Sequence, residues 1–163
     1  MGSGKTTVGP RVAARLGWRF ADADDVIVAE AGMSIAAFFA RHGEAAFREL
    51  EHATIARLAG EDDLVLALGG GAIEHNETRD LLRNSPGTLL LHLEVELATT
   101  LERCRGTEGE RPVLADHANL AARYSRRMPL YRTAHASVVV DRLTIDEVVE
   151  AVLTAIKPNQ TAA

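Results

Sequence analysis

Two hydrophobic patterns alternate along this chain. Short unbroken apolar runs occur at Leu64-Val65-Leu66-Ala67-Leu68, at Thr88-Leu89-Leu90-Leu91-His92-Leu93 and at Ser137-Val138-Val139-Val140. A weaker one lies at Arg19-Phe20-Ala21-Asp22. Runs of this kind suit parallel strands buried on both faces. Between them Ala, Arg, Glu and Leu fill stretches of helical length: 5–16, 24–31, 34–60 in two pieces, 76–84, 96–104, 117–133 and 144–156. Strand alternating with helix predicts an α/β fold, with right-handed crossovers laying helices on both faces of a parallel sheet. Gly-rich breaks fall at 69–71 and 106–109, and no repeat or low-complexity linker interrupts the pattern.

Composition narrows the class. The 163 residues suit one domain, 1–163. With 47% hydrophobic and 25% charged residues the chain has the balance of a globular protein, which argues against a disordered tail, a fibre or a disulfide scaffold. No apolar run approaches the roughly 20 residues that cross a bilayer, and the N-terminal residues have no signal-type apolar stretch. The lone Cys104 fits a reducing compartment, so a cytoplasmic protein without a membrane partner is expected. A net charge of −5 weighs against nucleic acid as a partner. Yet 16 of the 18 basic residues are Arg, and seven of these lie between Arg103 and Arg132, against Glu108, Glu110 and Asp116. That cationic segment reads either as a solvated helix face or as a cover over anionic phosphates.

Gly2-Ser3-Gly4-Lys5-Thr6-Thr7, followed by a helical stretch, matches the second half of the phosphate-binding loop G-x-x-x-x-G-K-[ST]. Glycines let backbone N–H groups turn inward around a phosphate, and the following helix adds its positive N-terminal end. Lys5 can reach the β- and γ-phosphate oxygens, and the Thr6 hydroxyl can ligate the Mg²⁺ that bridges them. The first glycine of the motif and the apolar strand that feeds it are not in the sequence. In this topology that strand is central, so a late start or a fragment is expected, and the chain by itself is expected to fold poorly and to show little activity.

Further on, Asp22-Ala23-Asp24 puts two carboxylates two residues apart after a short strand. Alternation along an extended segment would direct both to one side, one beside a metal and one beside an acceptor hydroxyl. The plain alternative is a helix N-cap with a neighbouring acid. In Gly43-Glu44-Ala45-Ala46-Phe47-Arg48-Glu49-Leu50-Glu51, Arg48 reads either as a surface residue pairing with Glu44 or Glu51, or as an anchor for an anion. Leu68-Gly69-Gly70-Gly71-Ala72 follows an apolar strand, at the edge where open α/β sheets bind ligands. Glu110-Arg111-Pro112, behind Gly106 to Gly109, has the look of a mobile lid that carries a guanidinium to a transferring phosphoryl group. Arg127, in Arg126-Arg127-Met128-Pro129-Leu130-Tyr131, would supply with Arg48 two forks for a substrate carboxylate.

In this order and spacing the motifs resemble the shikimate kinase family, and the resemblance covers nearly the whole chain. It implies a three-layer α/β/α P-loop kinase fold, with a five-stranded parallel sheet whose first strand is absent here. It further implies ATP-dependent phosphorylation of the 3-hydroxyl of shikimate, a step toward chorismate and the aromatic amino acids, by a monomer that uses Mg²⁺ and acts on small molecules. Carried over by motif, Gly2, Ser3, Gly4, Lys5, Thr6 and Thr7 would hold the ATP phosphates, and Thr6 would ligate Mg²⁺ with Asp22 assisting through water. Asp24 would bond the acceptor hydroxyls and serve as base. Arg48 and Arg127 would clamp the carboxylate, with Gly70 and Gly71 lining the acceptor site. Arg111 would be the lid arginine, in a lid at about 105–116, and the acceptor-binding region would span about 24–60. For adenine, Arg105 and the loop Arg142-Leu143-Thr144-Ile145 are both candidates.

Two other readings stand beside this one. A related kinase of a sugar acid such as gluconate also pairs a hydroxyl acceptor with an acid group, and only the triple glycine and the Arg-x-Pro-Leu-Tyr run separate it. A non-catalytic remnant that has lost its first strand is the second. The six histidines show no metal-ligand spacing, and Trp18 follows a helix-ending Gly17.

Overall fold

A computed structural model of the protein describes residues 2–103 and 117–160. The chain gathers into two compact units, Thr6–Thr88 and Met1–Lys5 with Leu89–Ala163. Among the described residues no helix is long and apolar enough to cross a membrane.

In the unit Thr6–Thr88, α1 (Lys5–Leu16) is followed by β1 (Arg19–Asp22), α2 (Ala23–Ala31), α3 (Ile35–Ala59) and β2 (Leu64–Ala67). A 3₁₀ turn at Ala72–Glu74 and α4 (Asn76–Asn84) complete it. Helix α1 stops at Gly17, whose φ of 74° only glycine adopts without strain. Trp18 N–H reaches Ala13 O at 2.9 Å and Gly17 N–H reaches Ala14 O at 3.4 Å, which closes the last turn and sends the chain into β1. Helix α3 starts on Ser34, whose Oγ accepts from Ala37 N–H at 3.2 Å. It breaks at Gly43 (φ 80°, ψ 171°), so the two pieces expected over 34–60 are both present.

Strands β1 and β2 pair in parallel, with Asp22 opposite Ala67. Their C-terminal ends therefore lie side by side, and the residues just beyond them, Asp24 and the triple glycine, emerge at one edge. The core beneath combines Val12 of α1, Ile27 of α2, Phe47 and Ile55 of α3, and Ile73. Helix α2 is fastened to α3 by Glu30, which accepts from Arg57 and from Thr54 Oγ1. The helix that carries Asp24 is thereby held against the helix that carries Arg48.

In the other unit, β3 (Leu91–Glu94), α5 (Leu97–Arg103), α6 (His117–Tyr131), β4 (Ala136–Val139) and α7 (Ile145–Gln160) follow in order. Strands β3 and β4 are parallel, with Leu91 opposite Ala136. Helix α7 opens on a reciprocal cap: Thr144 N–H donates to Glu147 Oε2 at 2.8 Å, and Glu147 N–H donates to Thr144 Oγ1 at 3.3 Å. Buried Leu120, Met128, Val138 and Val148 form its core.

Two local expectations need correction. The run 88–93 becomes a strand only from Leu91, because a turn at Ser85 to Thr88, with Gly87 at φ 74°, precedes it. Leu90 N–H then donates to His135 Nδ1 at 2.9 Å, a side-chain bond in place of a ladder bond. Asp22 and Asp24 do not share an extended segment either. The strand ends at Asp22 and the helix begins at Ala23, so Asp24 sits in the first turn of α2 and donates its N–H to Asp22 Oδ1 at 3.0 Å. The two carboxylates are neighbours through a helix cap, which is the plain alternative of the sequence reading.

Candidate functional site

The edge beyond β1 and β2 collects four of the expected residues and one that motif reading missed. Gly69 approaches α2 and α3 so closely that a Cβ placed on it would stand 2.8 Å from Asp24 Oδ1 and 3.0 Å from Glu51 Oε1. A Cβ on Gly71 would stand 2.6 and 2.7 Å from the two terminal nitrogens of Arg48. Gly69 and Gly71 are therefore explained by contact: side chains of α2 and α3 occupy the space that a Cβ at either position would need. Asp24, Arg48, Gly70 and Gly71 meet in this one place, with Glu51 behind them.

Arg48 is fixed from three sides. Its Nη1 donates to Glu51 Oε2 at 2.5 Å and its Nη2 to Glu44 Oε1 at 3.2 Å. Its guanidinium carbon lies 5.4 Å from the centre of the Phe47 ring, a cation–π distance. Phe47 is itself buried and packs against Phe39 at 4.6 Å between ring centres. Both partners suggested by the i−4 and i+3 spacings are real, but they differ in kind. Glu44 is on the surface, whereas the Glu51 side chain is 2% exposed.

Burial pushes the Glu51 carboxyl above its ordinary value, and the hydrogen bond and charge of Arg48 pull it only part of the way back; the nearby Asp24 charge adds to the rise. Burial works against the charge on Arg48 too, but Glu51 and then Glu44 more than offset it, so the guanidinium stays ionised. A buried carboxylate whose main partner is a half-buried arginine is a device for aiming that arginine. Sequence carries a signal for it. Glu51 lies in phase with Phe47, Ile55 and Leu58 on the buried face of α3, where a charge needs a partner.

The loop Gly2 to Lys5 has the backbone of a phosphate cradle. Gly2 and Gly4 both have positive φ, 66° and 88°, Ser3 is buried, and α1 opens at Lys5. Glycines in these conformations turn successive N–H groups toward a common point at a helix N-terminus. Thr6 and Thr7 continue the first turn of α1. These residues fit a nucleotide phosphate with its Mg²⁺, the loop through N–H groups, Lys5 through charge and Thr6 through its hydroxyl.

Arg127 is buried in α6 at 8% exposure. The helix is tied to β3 by two tyrosines on the same face. Tyr124 OH donates to Val95 O at 3.1 Å just past the strand, and the Tyr131 ring stacks on His92 at 4.9 Å. The tyrosine of the Arg-x-Pro-Leu-Tyr run thus seats the helix that bears the arginine. Arg105, Arg111 and the expected lid lie outside the described residues.

The family model for shikimate kinase matches residues 1–157. A shikimate kinase of Salinibacter ruber is 43% identical over 160 residues, 91% of this chain and 77% of that protein. One from Geobacter sulfurreducens is 39% identical, over 98% and 88% respectively. Among solved structures, shikimate kinase from Acinetobacter baumannii in complex with shikimate superposes with a TM-score of 0.88 at 32% identity, covering 98% of this chain and 89% of that one. The enzyme from Bacteroides thetaiotaomicron superposes with a TM-score of 0.86 at 26% identity, over 96% and 94%. The cradle, the triple glycine packed on Asp24 and Arg48, and a match along almost the whole length agree: the chain belongs to the shikimate kinase family.

Proposed function

We propose that this protein transfers the γ-phosphoryl group of ATP to the 3-hydroxyl of shikimate, yielding shikimate 3-phosphate and ADP. The observation that carries the reading is the meeting of Asp24, Arg48 and the Gly69–Gly71 loop at the C-terminal edge of β1 and β2. A carboxylate beside a fixed guanidinium suits a small acceptor with a hydroxyl at one end and an acid group at the other. Arg127 is the second fork on that acid group, and Gly70 and Gly71 let the acceptor approach backbone. Gly2, Ser3, Gly4, Lys5, Thr6 and Thr7 bind the triphosphate. Thr6 would hold Mg²⁺ through its hydroxyl with Asp22 assisting through water, and the ion would supply charge neutralisation to the nucleotide phosphates. Asp24 orients the acceptor hydroxyl and takes its proton. Lys5 and Arg111 stabilise charge on the transferring group, and Arg105 or the loop at Arg142 flanks the adenine. Residues 1–163 act as one domain, with an acceptor region at about 24–60 and a lid at about 105–116. The protein works as a cytoplasmic monomer on small molecules, without nucleic acid or membrane.

The test is a coupled assay of ADP release by the full-length protein with shikimate and with gluconate. Turnover with shikimate alone is expected; comparable kcat/KM with gluconate would overturn the acceptor assignment. A second expectation concerns Gly71→Ala. The new Cβ must push the Arg48 guanidinium aside, which a flexible side chain permits at small cost to the fold but not to the site. Shikimate KM should rise about tenfold, equivalent to about 1.4 kcal/mol, with ATP KM nearly unchanged and a fall in melting temperature smaller than that of Arg48→Met. An unchanged shikimate KM would show that the loop does not line the acceptor.

A further inference from the structure

Behind the triple glycine lies a hydrogen-bonded cluster that joins it to α3 and that the phosphoryl transfer itself does not use. Thr78, in the first turn of α4, is 1% exposed. Its Oγ1 lies 2.9 Å from His52 Nδ1 of α3 and 3.1 Å from His75 Nδ1, with the two imidazole rings 5.3 Å apart. His75 ends the 3₁₀ turn and starts α4, and its side chain turns to Thr78 instead of capping the helix backbone. From there the chain of bonds runs back to the site: His75 N–H to Ala72 O, Glu74 N–H to Gly71 O at 2.9 Å and Ala72 N–H to Gly69 O at 3.1 Å. Arg79 Nη1 closes the turn on Ile73 O at 3.0 Å.

His75 Nε2 is 3.0 Å from Glu77 Oε2 and 3.7 Å from Glu49 Oε1. Carboxylates only accept, so Nε2 carries the hydrogen. When the ring carries only that one hydrogen, Nδ1 presents a lone pair, which accepts the Thr78 O–H. Thr78 Oγ1 in turn accepts from His52, whose hydrogen must sit on Nδ1. Among the described residues no group of three or more His, Cys, Asp or Glu could hold a metal, and here both Nδ1 atoms are turned onto one hydroxyl. We propose that His52, Thr78 and His75 form a directional hydrogen-bond chain that holds the Gly69–Gly71 loop at a set distance from α3, and that they are positioning residues for the acceptor. The inference rests on the acceptor role assigned above to Arg48 and Gly71, one on each side of the gap that the chain spans.

Two independent readouts test it. Nitrogen-15 NMR of the imidazoles at alkaline pH should show His52 as the Nδ1–H tautomer and His75 as the Nε2–H tautomer; in Thr78→Val, His52 should lose the Nδ1–H form. Kinetically, Thr78→Val should raise shikimate KM about tenfold with ATP KM unchanged, and Thr78→Ser should restore it to within about twofold. His75→Ala, at a side chain partly open to solvent, gives a second reading should Thr78→Val fold poorly, with a rise of about threefold expected. An Nε2–H tautomer at His52 in the wild type would overturn the chain whatever the activity. With turnover on shikimate intact, a normal shikimate KM in the folded variants, or an equal rise in ATP KM, would overturn the positioning role alone. No turnover on shikimate in the wild type would overturn the functional reading and this inference with it.

Discussion

Asp24→Asn is expected to lower kcat by about a hundredfold to ten-thousandfold, the range for loss of a positioned general base, while ATP KM stays within about twofold. Asparagine has the shape of aspartate and can still bond a hydroxyl, so binding geometry is kept and only proton acceptance is lost. The position is well built for a carboxylate. It lies in the first turn of α2, where the helix end stabilises negative charge, with its N–H held by Asp22 and its Oδ1 packed close to Gly69. Steady-state rates at saturating ATP over a range of shikimate give the answer. Near-normal kcat in the variant would remove Asp24 from the role of base and leave it as an orienting group.

Arg48→Met should affect both the fold and the site. It leaves Glu51, with a 2% exposed side chain, without its main partner. Breaking a buried pair from one side costs about 3–5 kcal/mol, and the 19% exposure of Arg48 favours the lower end, about 3 kcal/mol. The pH dependence has a definite sign. Burial already holds the folded Glu51 carboxyl above its ordinary value. A raised carboxyl contributes stability that is fully present below the unfolded value and is lost as pH rises through the folded one. Without Arg48 the folded value climbs further, so the variant should lose more stability than the wild type as pH rises from the ordinary glutamate value, about 4.3, toward neutrality. Urea unfolding across that window measures it. Adding Glu51→Gln to Arg48→Met should recover most of the stability and none of the shikimate affinity. A variant as stable as the wild type at neutral pH would mean that the pair does not hold the helix as described.

The same pair shows where the sequence stopped being legible. Arg48 with Glu44 and Glu51 at i−4 and i+3 could be read from spacing, and both bonds exist. Spacing could not rank them, because the difference is burial, and burial depends on what α4 and the glycine loop lay over that face. Glu51 therefore stands out as a site residue only in the tertiary structure, although its phase with Phe47 and Ile55 places it on the buried face of α3. The cluster at Thr78 was silent for the same reason. His52 and Thr78 lie 26 residues apart, and only the packing of α4 on α3 brings them together. At Asp22-Ala23-Asp24 the local pattern allows an extended pair or a helix cap, and the chain turns helical at Ala23, which makes it the cap.

Local chemistry alone was enough for the element order. Glycines with positive φ at 17, 32 and 43, a serine cap at 34 and the apolar strand runs act over a few residues, so α1, α2, α4 and the kink in α3 stand where the pattern put them. The positive-φ glycines of the Gly2–Lys5 loop and the closeness of the glycine run to Arg48 follow from short runs, each tied to one kind of contact. Tertiary structure decided which acids are buried, which hydroxyl serves two histidines, and how closely Gly69 and Gly71 press on Asp24 and Arg48. Those depend on desolvation and on distances between elements far apart in the chain, quantities that no local pattern encodes.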